Sequence, residues 1–92
     1  NDIMQEVEKK ETLFRTYLSH PEIKEIRGKG LILSLEFENE ELAQKVVDES
    51  LEKGLILFYF LFSKTAIRIT PPLTITEKEI IKGCEIINQI LN

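Results

Sequence analysis

The 92-residue sequence contains few of the residues that most often carry catalysis or bind metal ions. It has one cysteine, one histidine and no tryptophan. Cys84 has no second cysteine with which to form an internal disulfide, which favours a reducing compartment. Because neither Cys84 nor His20 belongs to a CxxC or HxxxH spacing, no structural zinc site is predicted. We therefore expect no catalytic residue and no metal ligand in this chain.

Positive charge and long apolar runs are also scarce. Three arginines and nine lysines stand against 14 glutamates and two aspartates, which gives a net charge of −4. Such a balance disfavours binding to the phosphates of nucleic acids. The longest apolar run, Leu55–Phe62, has eight residues, whereas a membrane-spanning helix needs about 20. No basic and apolar leader opens the chain, so we expect a cytoplasmic protein that contacts neither nucleic acid nor membrane.

The length suits one domain over residues 1–92, or a part of one. A domain of this size buries only about 60–65% of its unfolded surface, so its stability would be marginal alone. The chain begins at Asn1 rather than at methionine, which favours a piece of a longer protein.

Helical spacing of apolar residues marks two segments with clear ends. The first covers about 3–19, with Asp2 as its N-cap, and it stops before Pro21 because proline disfavours a helical conformation in the residue before it. The second begins at Asn39, a favoured N-cap, and ends at Gly54 in the C′ position. Its predicted inward stripe consists of Leu42, Ala43, Val46, Val47 and Leu51.

A third helix is predicted to open with a capping box formed by Thr76 and Glu79. Cys84 falls on its apolar face, so we predict a small core residue rather than a nucleophile. His20, beside a proline, is predicted to be an exposed loop residue.

A half-buried strand is predicted over 31–37, where apolar and polar residues alternate. Gly28 and Gly30 precede it, and two glycines at this spacing predict positive φ or a close backbone approach, hence a turn or bulge between extended segments. Lys29 between them is predicted to be a solvated turn residue. No dinucleotide site is predicted, because a strand follows where a helix N-terminus should meet the pyrophosphate.

The apolar run Leu55–Phe62 does not alternate, which is typical of a strand covered on both faces. Three helices can cover only one face of a small sheet, so part of this run is predicted to pack on another domain or subunit. The alternative is an unusually apolar core strand.

The order of elements predicts an α+β fold, a small and mainly antiparallel sheet of about three to four strands with helices packed on one face. A ferredoxin-like domain has a similar βαββα run.

Arg68 is the residue whose position suggests chemistry. It lies in a strand over 66–70, on the face opposite the isoleucines, and Pro71 and Pro72 end that strand because neither can donate to a sheet. A guanidinium held on a rigid strand suits bidentate binding of a carboxylate. The alternative is a surface ion pair with a glutamate, worth about 0–1 kcal/mol. Glu36 and other glutamates close in sequence are predicted to be solvated.

Three motifs in order and spacing resemble a known family. They are Arg27-Gly28-Lys29-Gly30-Leu31, the helix end Glu52-Lys53-Gly54-Leu55, and Arg68-Ile69-Thr70-Pro71-Pro72-Leu73-Thr74-Ile75-Thr76. Together they resemble the C-terminal small domain of the class III pyridoxal-phosphate (PLP) aminotransferases, a group that includes ornithine, acetylornithine and 4-aminobutyrate aminotransferases. The resemblance covers essentially the whole chain.

The resemblance implies that residues 1–92 are the small domain of a chain several times longer. In that family the lysine and other residues that bind PLP belong to a large domain, which is not in this sequence. The active sites lie at a homodimer interface. The reaction moves an amino group, often a terminal one, to 2-oxoglutarate.

The resemblance also implies a role for Arg68. The matching arginine pairs with a large-domain glutamate while an ω-amino donor is bound, and it then holds the α-carboxylate of the keto acid. Arg27, Gly28, Gly30 and Gly54, with Pro71 and Pro72, are implied only as structural turn residues.

One stretch departs from the family, whose members often have a more polar or glycine-containing segment before the arginine strand. Here Phe58, Tyr59 and Phe60 are predicted either to line the substrate entrance or to enlarge a domain contact. Two competing interpretations stay open, a free-standing ferredoxin-like module that binds a small ligand or partner, and an acidic interaction domain without a ligand.

Overall fold

The computed structural model describes residues 2–92, with side chains from residue 3 onward. In this part of the chain the elements run α1 (Asp2–Tyr17), β1 (Glu25–Lys29), β2 (Ile32–Glu36), α2 (Glu40–Glu52), β3 (Leu61–Ser63), β4 (Ala66–Ile69) and α3 (Glu77–Leu91). The α+β prediction is therefore confirmed. The predicted N-cap interaction of Asp2 lies outside the described side chains.

The four strands form one antiparallel sheet in the order β1-β2-β4-β3. β4 is an interior strand, bonded to β2 on one side and β3 on the other. One face of the sheet is fully apolar and packs in the core with residues of all three helices. The opposite face, which we call the open face, carries exposed side chains that include Arg68. The core face presents Leu33, Leu35, Ile67 and Ile69.

The glycine motif forms the hairpin between β1 and β2. Gly28 has φ 109° and Gly30 has φ 66°, a region that L side chains rarely occupy, so the predicted positive φ is present at both. Gly28 lies opposite Leu33 in the ladder, and a Cβ at Gly28 would overlap the carbonyl oxygen of Ile32. Lys29 is exposed, as predicted.

Two side chains of α1 hold this hairpin. The carboxylate of Glu11 accepts a hydrogen bond from the backbone N–H of Gly30 at 2.7 Å and pairs with Arg15 at 3.0 Å. Arg15 in turn donates to the carbonyl oxygens of Ile26 at 3.0 Å and Gly28 at 2.8 Å. The turn is therefore fixed from outside as well as by its own glycines.

The predicted ends of α2 and the predicted start of α3 are confirmed. The side chain of Asn39 accepts from the N–H of Leu42, and Gly54 follows α2 with φ 85°. Thr76 and Glu79 form the complete capping box of α3. The predicted inward position of Leu51 is wrong, since its side chain is 47% exposed. Ser50 takes the buried position instead, because the inward stripe continues at helical spacing from Val46 and Val47.

The prediction of one continuous strand over Leu55–Phe62 is also wrong. Residues 55–60 form turns and irregular backbone, and only Leu61 begins a strand. The strand is interrupted because Phe58 lies outside the sheet. Its fully buried ring packs edge-on against Phe14 of α1, with ring centroids 5.1 Å apart. It lies so close to α3 that a Cβ at Gly83 would overlap it. A strand covered on both faces could not bring Phe58 to this position.

We expect replacement of Gly28 by alanine to unfold the hairpin. Gly28→Ala combines a positive φ with an overlap against fixed backbone, which together cost at least about 3 kcal/mol. Gly54→Ala is the matched control, because φ is also positive there but nothing lies within 4 Å of the added Cβ. Urea unfolding should show that the control loses about 1 kcal/mol of the free energy of unfolding. Equal losses in both variants would contradict the close approach at Gly28.

Protonation of Glu11 should weaken the contact between α1 and the hairpin. The N–H of Gly30, with Arg15 beside it, lowers the pKa of Glu11 below its ordinary value of 4.5. A lowered folded-state pKa contributes stability above the unfolded pKa, and this contribution disappears as pH falls through the folded pKa. Glu11→Gln should therefore lower the free energy of unfolding most at pH 7, and the difference from the parent should shrink below pH 4.5.

The control for this titration is Glu8→Gln. Glu8 lies on the same helix, and its carboxylate makes no hydrogen bond or ion pair with any residue in the described range 2–92. Urea unfolding at several pH values between 3 and 7 gives the comparison. A Glu11→Gln effect that does not depend on pH would contradict the electrostatic role of Glu11.

Candidate functional site: the open face around Arg68

Arg68 lies at the centre of the open face. It is opposite Ser34 of β2 and opposite Leu61 of β3, and Ser34 is in turn opposite Arg27 of β1. These four residues form one row across the sheet. Because β4 is bonded on both sides, the backbone of Arg68 is held by the sheet rather than by a loop. Its side chain is exposed.

The three arginines of the chain differ in what they contact. Arg15 is occupied by Glu11 and two carbonyl oxygens. Arg27 pairs with Glu36 at 2.8 Å and lies 3.9 Å from Glu25. The guanidinium of Arg68 has no hydrogen bond or ion pair with any part of the chain from residue 2 to residue 92. The surface ion pair considered as the alternative for Arg68 is therefore absent from the described residues.

The segment after Arg68 is held by contacts on the core side of the sheet. Pro71 is buried, and the carbonyl oxygen of Leu73 accepts a hydrogen bond from the ammonium of Lys10 at 2.7 Å. Lys10 is only 9% exposed, so this charge-assisted bond is shielded from water. Pro72 accepts a backbone hydrogen bond from Ile75, which is itself buried. The end of β4 is thus tied to α1.

The three aromatic residues before β3 have different environments. Phe58 is fully buried, and Phe60 is half-buried with its ring centroid 6.0 Å from that of Phe58. Tyr59 between them is 57% exposed and has φ 47°. Two of the three are therefore core residues, and only Tyr59 is available to a ligand or a partner surface.

The nucleophile candidates of the sequence are not in this site. Cys84 is fully buried in α3, and burial raises the pKa of its thiol to about 12, which confirms a core role. His20 is half-buried rather than exposed, because its Nε2 lies 2.8 Å from the side-chain oxygen of Asn92 and its Nδ1 accepts from the N–H of Glu22. These contacts join the end of α1 to the end of α3.

The glutamates near Arg68 in the sheet are engaged elsewhere. Glu36 pairs with Arg27 and accepts a hydrogen bond from the hydroxyl of Thr65. It is therefore half-buried and bonded, not solvated as predicted. Across residues 2–92, no group of three or more metal-binding side chains occurs. None of the helices described in this chain has the length and apolar character needed to span a membrane.

Sequence reasoning missed the three α1 residues that support the site, Lys10, Glu11 and Arg15. Their partners lie far along the chain, 63 residues away for Lys10 and 19 for Glu11. In sequence they are ordinary charged positions of an amphipathic helix. The only local signal is the Glu11–Arg15 spacing of four residues, which indicates a helical ion pair but gives no hint of the hairpin.

A family model for the class-III aminotransferases matches residues 1–91. The chain belongs to the class-III aminotransferases. Members of this family depend on PLP and act on amino acids and keto acids.

Curated class-III relatives agree with this assignment. Acetylornithine aminotransferase of Caldanaerobacter subterraneus subsp. tengcongensis is 38% identical over 91 residues, which cover 94% of this chain and 22% of the relative. The Haemophilus ducreyi enzyme of the same name is 32% identical, and the match covers 21% of that relative. Diaminobutyrate–2-oxoglutarate transaminase of Halalkalibacterium halodurans is 33% identical, with 84% of this chain and 18% of the relative covered. The chain thus spans about a fifth of the length of the curated relatives it matches.

Solved structures show the same fold. An adenosylmethionine-8-amino-7-oxononanoate aminotransferase from Methanocaldococcus jannaschii has a TM-score of 0.77 at 25% identity, covering 98% of this chain and 23% of that one. An ω-transaminase from Pseudomonas jessenii in complex with PMP has a TM-score of 0.80 at 24% identity, covering 98% and 22%.

The described residues do not fit a PLP site of their own. A PLP enzyme needs a lysine placed to form a Schiff base with the cofactor. Lys10 is the buried lysine among residues 2–92, and its ammonium is bonded to the Leu73 carbonyl. The other described lysines are exposed. What this class-III chain does present is an exposed, unpaired guanidinium on a rigid strand, which can bind a carboxylate.

Proposed function

We propose that residues 1–92 are the C-terminal small domain of a longer, PLP-dependent aminotransferase, a cytoplasmic homodimer. The enzyme would transfer an amino group from an amino acid or ω-amino donor to 2-oxoglutarate. Two facts support this division of the chain. The relatives are about five times as long as the part matched here, and the described lysines offer no place for the cofactor. PLP would then be bound by the large domain, and this chain alone would be inactive.

The role proposed for this chain is to bind the carboxylate of the substrate through Arg68. The observation that carries it is the contrast among the arginines, since Arg15 and Arg27 are bonded within the fold and Arg68 is not. A guanidinium offers two parallel N–H donors that match the two oxygens of a carboxylate. The strand holds the backbone of Arg68 rigidly, so the contact favours substrates whose carboxylate lies at that position.

An unpaired arginine also needs a counter-charge when no keto acid is bound. Burying a guanidinium without a partner is costly, so the part of the protein that covers the open face must supply a carboxylate. The resemblance assigns this role to a glutamate of the large domain, which would release Arg68 when 2-oxoglutarate arrives. The open face would then be the surface that meets the large domain and the active site.

The size of the native protein tests the first part of the proposal. We expect an immunoblot of source cells, with an antibody raised against this chain, to show a band several times heavier than 10.7 kDa. A band near 10.7 kDa would leave no cofactor lysine, and would favour the ferredoxin-like binding module instead.

Substitution of Arg68 by lysine in the full-length enzyme tests the second part. Lysine keeps the charge but loses the fork, so kcat/KM for 2-oxoglutarate should fall at least about tenfold. The absorbance of bound PLP should not change. The matched control is Arg27→Lys in the same row of the sheet, where the arginine already has glutamate partners and activity should be retained. Unchanged kinetics for 2-oxoglutarate in Arg68→Lys would remove Arg68 from the site.

A further inference from the structure

We propose that Tyr59 is a second contact for the substrate carboxylate, beside Arg68. Its phenol hydroxyl donates to the carboxylate that Arg68 binds, and its ring forms a wall beside that carboxylate. The inference rests on the proposed function of Arg68 and adds a specificity-determining residue to it.

The first observation is the backbone of Tyr59. Two non-glycine residues among those described have positive φ, Tyr59 at 47° and Lys64 at 55°. Lys64 lies in the turn between β3 and β4, where such a conformation is usual. Tyr59 follows a turn closed by its own N–H on the carbonyl of Ile56 at 3.2 Å, a position that favours glycine or asparagine. An aromatic residue held in this conformation is a strained feature of the type found at binding sites.

The second observation is how that backbone is attached to β4. The N–H of Thr70 donates to the carbonyl of Phe58 at 2.9 Å, and the Thr70 hydroxyl donates to the carbonyl of Tyr59 at 3.4 Å. Thr70 thus contacts the carbonyl groups of two successive residues and ties the segment that carries Tyr59 to the end of β4. Thr70 is two residues from Arg68, so it lies on the same side of the strand.

The third observation is the direction of the ring. Phe58 and Phe60 on either side of Tyr59 pack toward the core, while Tyr59 is 57% exposed. Leu61, the next exposed residue, is directly opposite Arg68. Tyr59 lies two residues before Leu61, and its carbonyl is bonded to Thr70, two residues after Arg68. Its exposed ring therefore lies on the segment next to Arg68, and we place the phenol against a carboxylate bound at the tip of Arg68.

The chemistry of the two groups is complementary. An ionised carboxylate has about four acceptor positions, and a bidentate guanidinium uses two of them. A phenol hydroxyl can donate to a third and adds no charge. The site therefore gains affinity for the carboxylate without a second cation that would need its own counter-charge in the empty state.

Two substitutions of Tyr59 in the full-length enzyme test this inference. Tyr59→Phe removes only the hydroxyl, and it should raise KM for 2-oxoglutarate about tenfold with kcat within about twofold. Tyr59→Gly removes the ring as well and should raise KM at least as much. Glycine suits the positive φ at this position, so this variant should unfold at the same temperature as the parent or a higher one.

The control is Ile56→Ala in the same segment. Ile56 is 64% exposed but is the first residue of the turn, three residues before Tyr59, so truncation of its side chain should leave KM for 2-oxoglutarate unchanged. If Tyr59 only packs on another domain, Ile56→Ala and Tyr59→Gly should both lower the unfolding temperature and neither should raise KM selectively. That result would overturn the inference.

Arg68→Lys, measured in parallel, separates this inference from the proposal on which it rests. A raised KM in Arg68→Lys with an unchanged KM in Tyr59→Phe and Tyr59→Gly would retain Arg68 and reject Tyr59. An unchanged KM in Arg68→Lys would reject both. With both residues in contact with one carboxylate, the Arg68→Lys/Tyr59→Phe double variant should lose less than the product of the two single losses.

Discussion

Phe58 lies where α1, α3 and the segment before β3 meet, and much of the structure depends on its burial. Its ring packs against Phe14, and it occupies space at α3 that only a glycine at position 83 leaves free. Burial of a whole phenylalanine ring contributes about 1.5–3 kcal/mol, which is a large fraction of the free energy of unfolding of so small a domain. The same insertion stops β3 from extending further back along the chain and turns Tyr59 outward. The burial of one side chain thus accompanies both the packing between α1 and α3 and the exposure of Tyr59.

The charged residues of the domain divide into those that hold the fold and those left for other contacts. Three side chains of α1 form hydrogen bonds with backbone atoms of two turns, the glycine hairpin and the segment after β4. They belong to Lys10, Glu11 and Arg15. Because these contacts are made to backbone atoms, they do not depend on the side chains of the turn residues, although the hairpin itself still needs its glycines. Arg68 has no such engagement within the described chain, so its charge is free to act on something outside the domain.

Elements with local signals could be predicted from sequence, and those set by distant contacts could not. The hairpin glycines, the Asn39 cap and the Thr76–Glu79 box depend on a few neighbouring residues, and the structure has each where it was expected. Leu55–Phe62 carries no periodicity, and its break comes from Phe58 fitting against α3, more than 20 residues later. Arg68 could be selected from its strand position and the family motifs. Its lack of a partner, and the exposure of Tyr59 alone among the three aromatic residues, depend on the three-dimensional packing and have no signal in the sequence.

The position of β4 inside the sheet has a consequence for how such a domain can diversify. β2 and β3 both hold Arg68 in place, yet its partner on one side, Leu61, belongs to β3, an edge strand of three residues that follows an irregular segment. Edge segments tolerate changes in length and composition that interior strands do not, because fewer backbone bonds depend on them. The proposed carboxylate anchor, Arg68, and the proposed wall beside it, Tyr59, therefore belong to parts of the chain with different freedom to vary. New donor or acceptor preferences could arise in the wall while the anchor stays where it is.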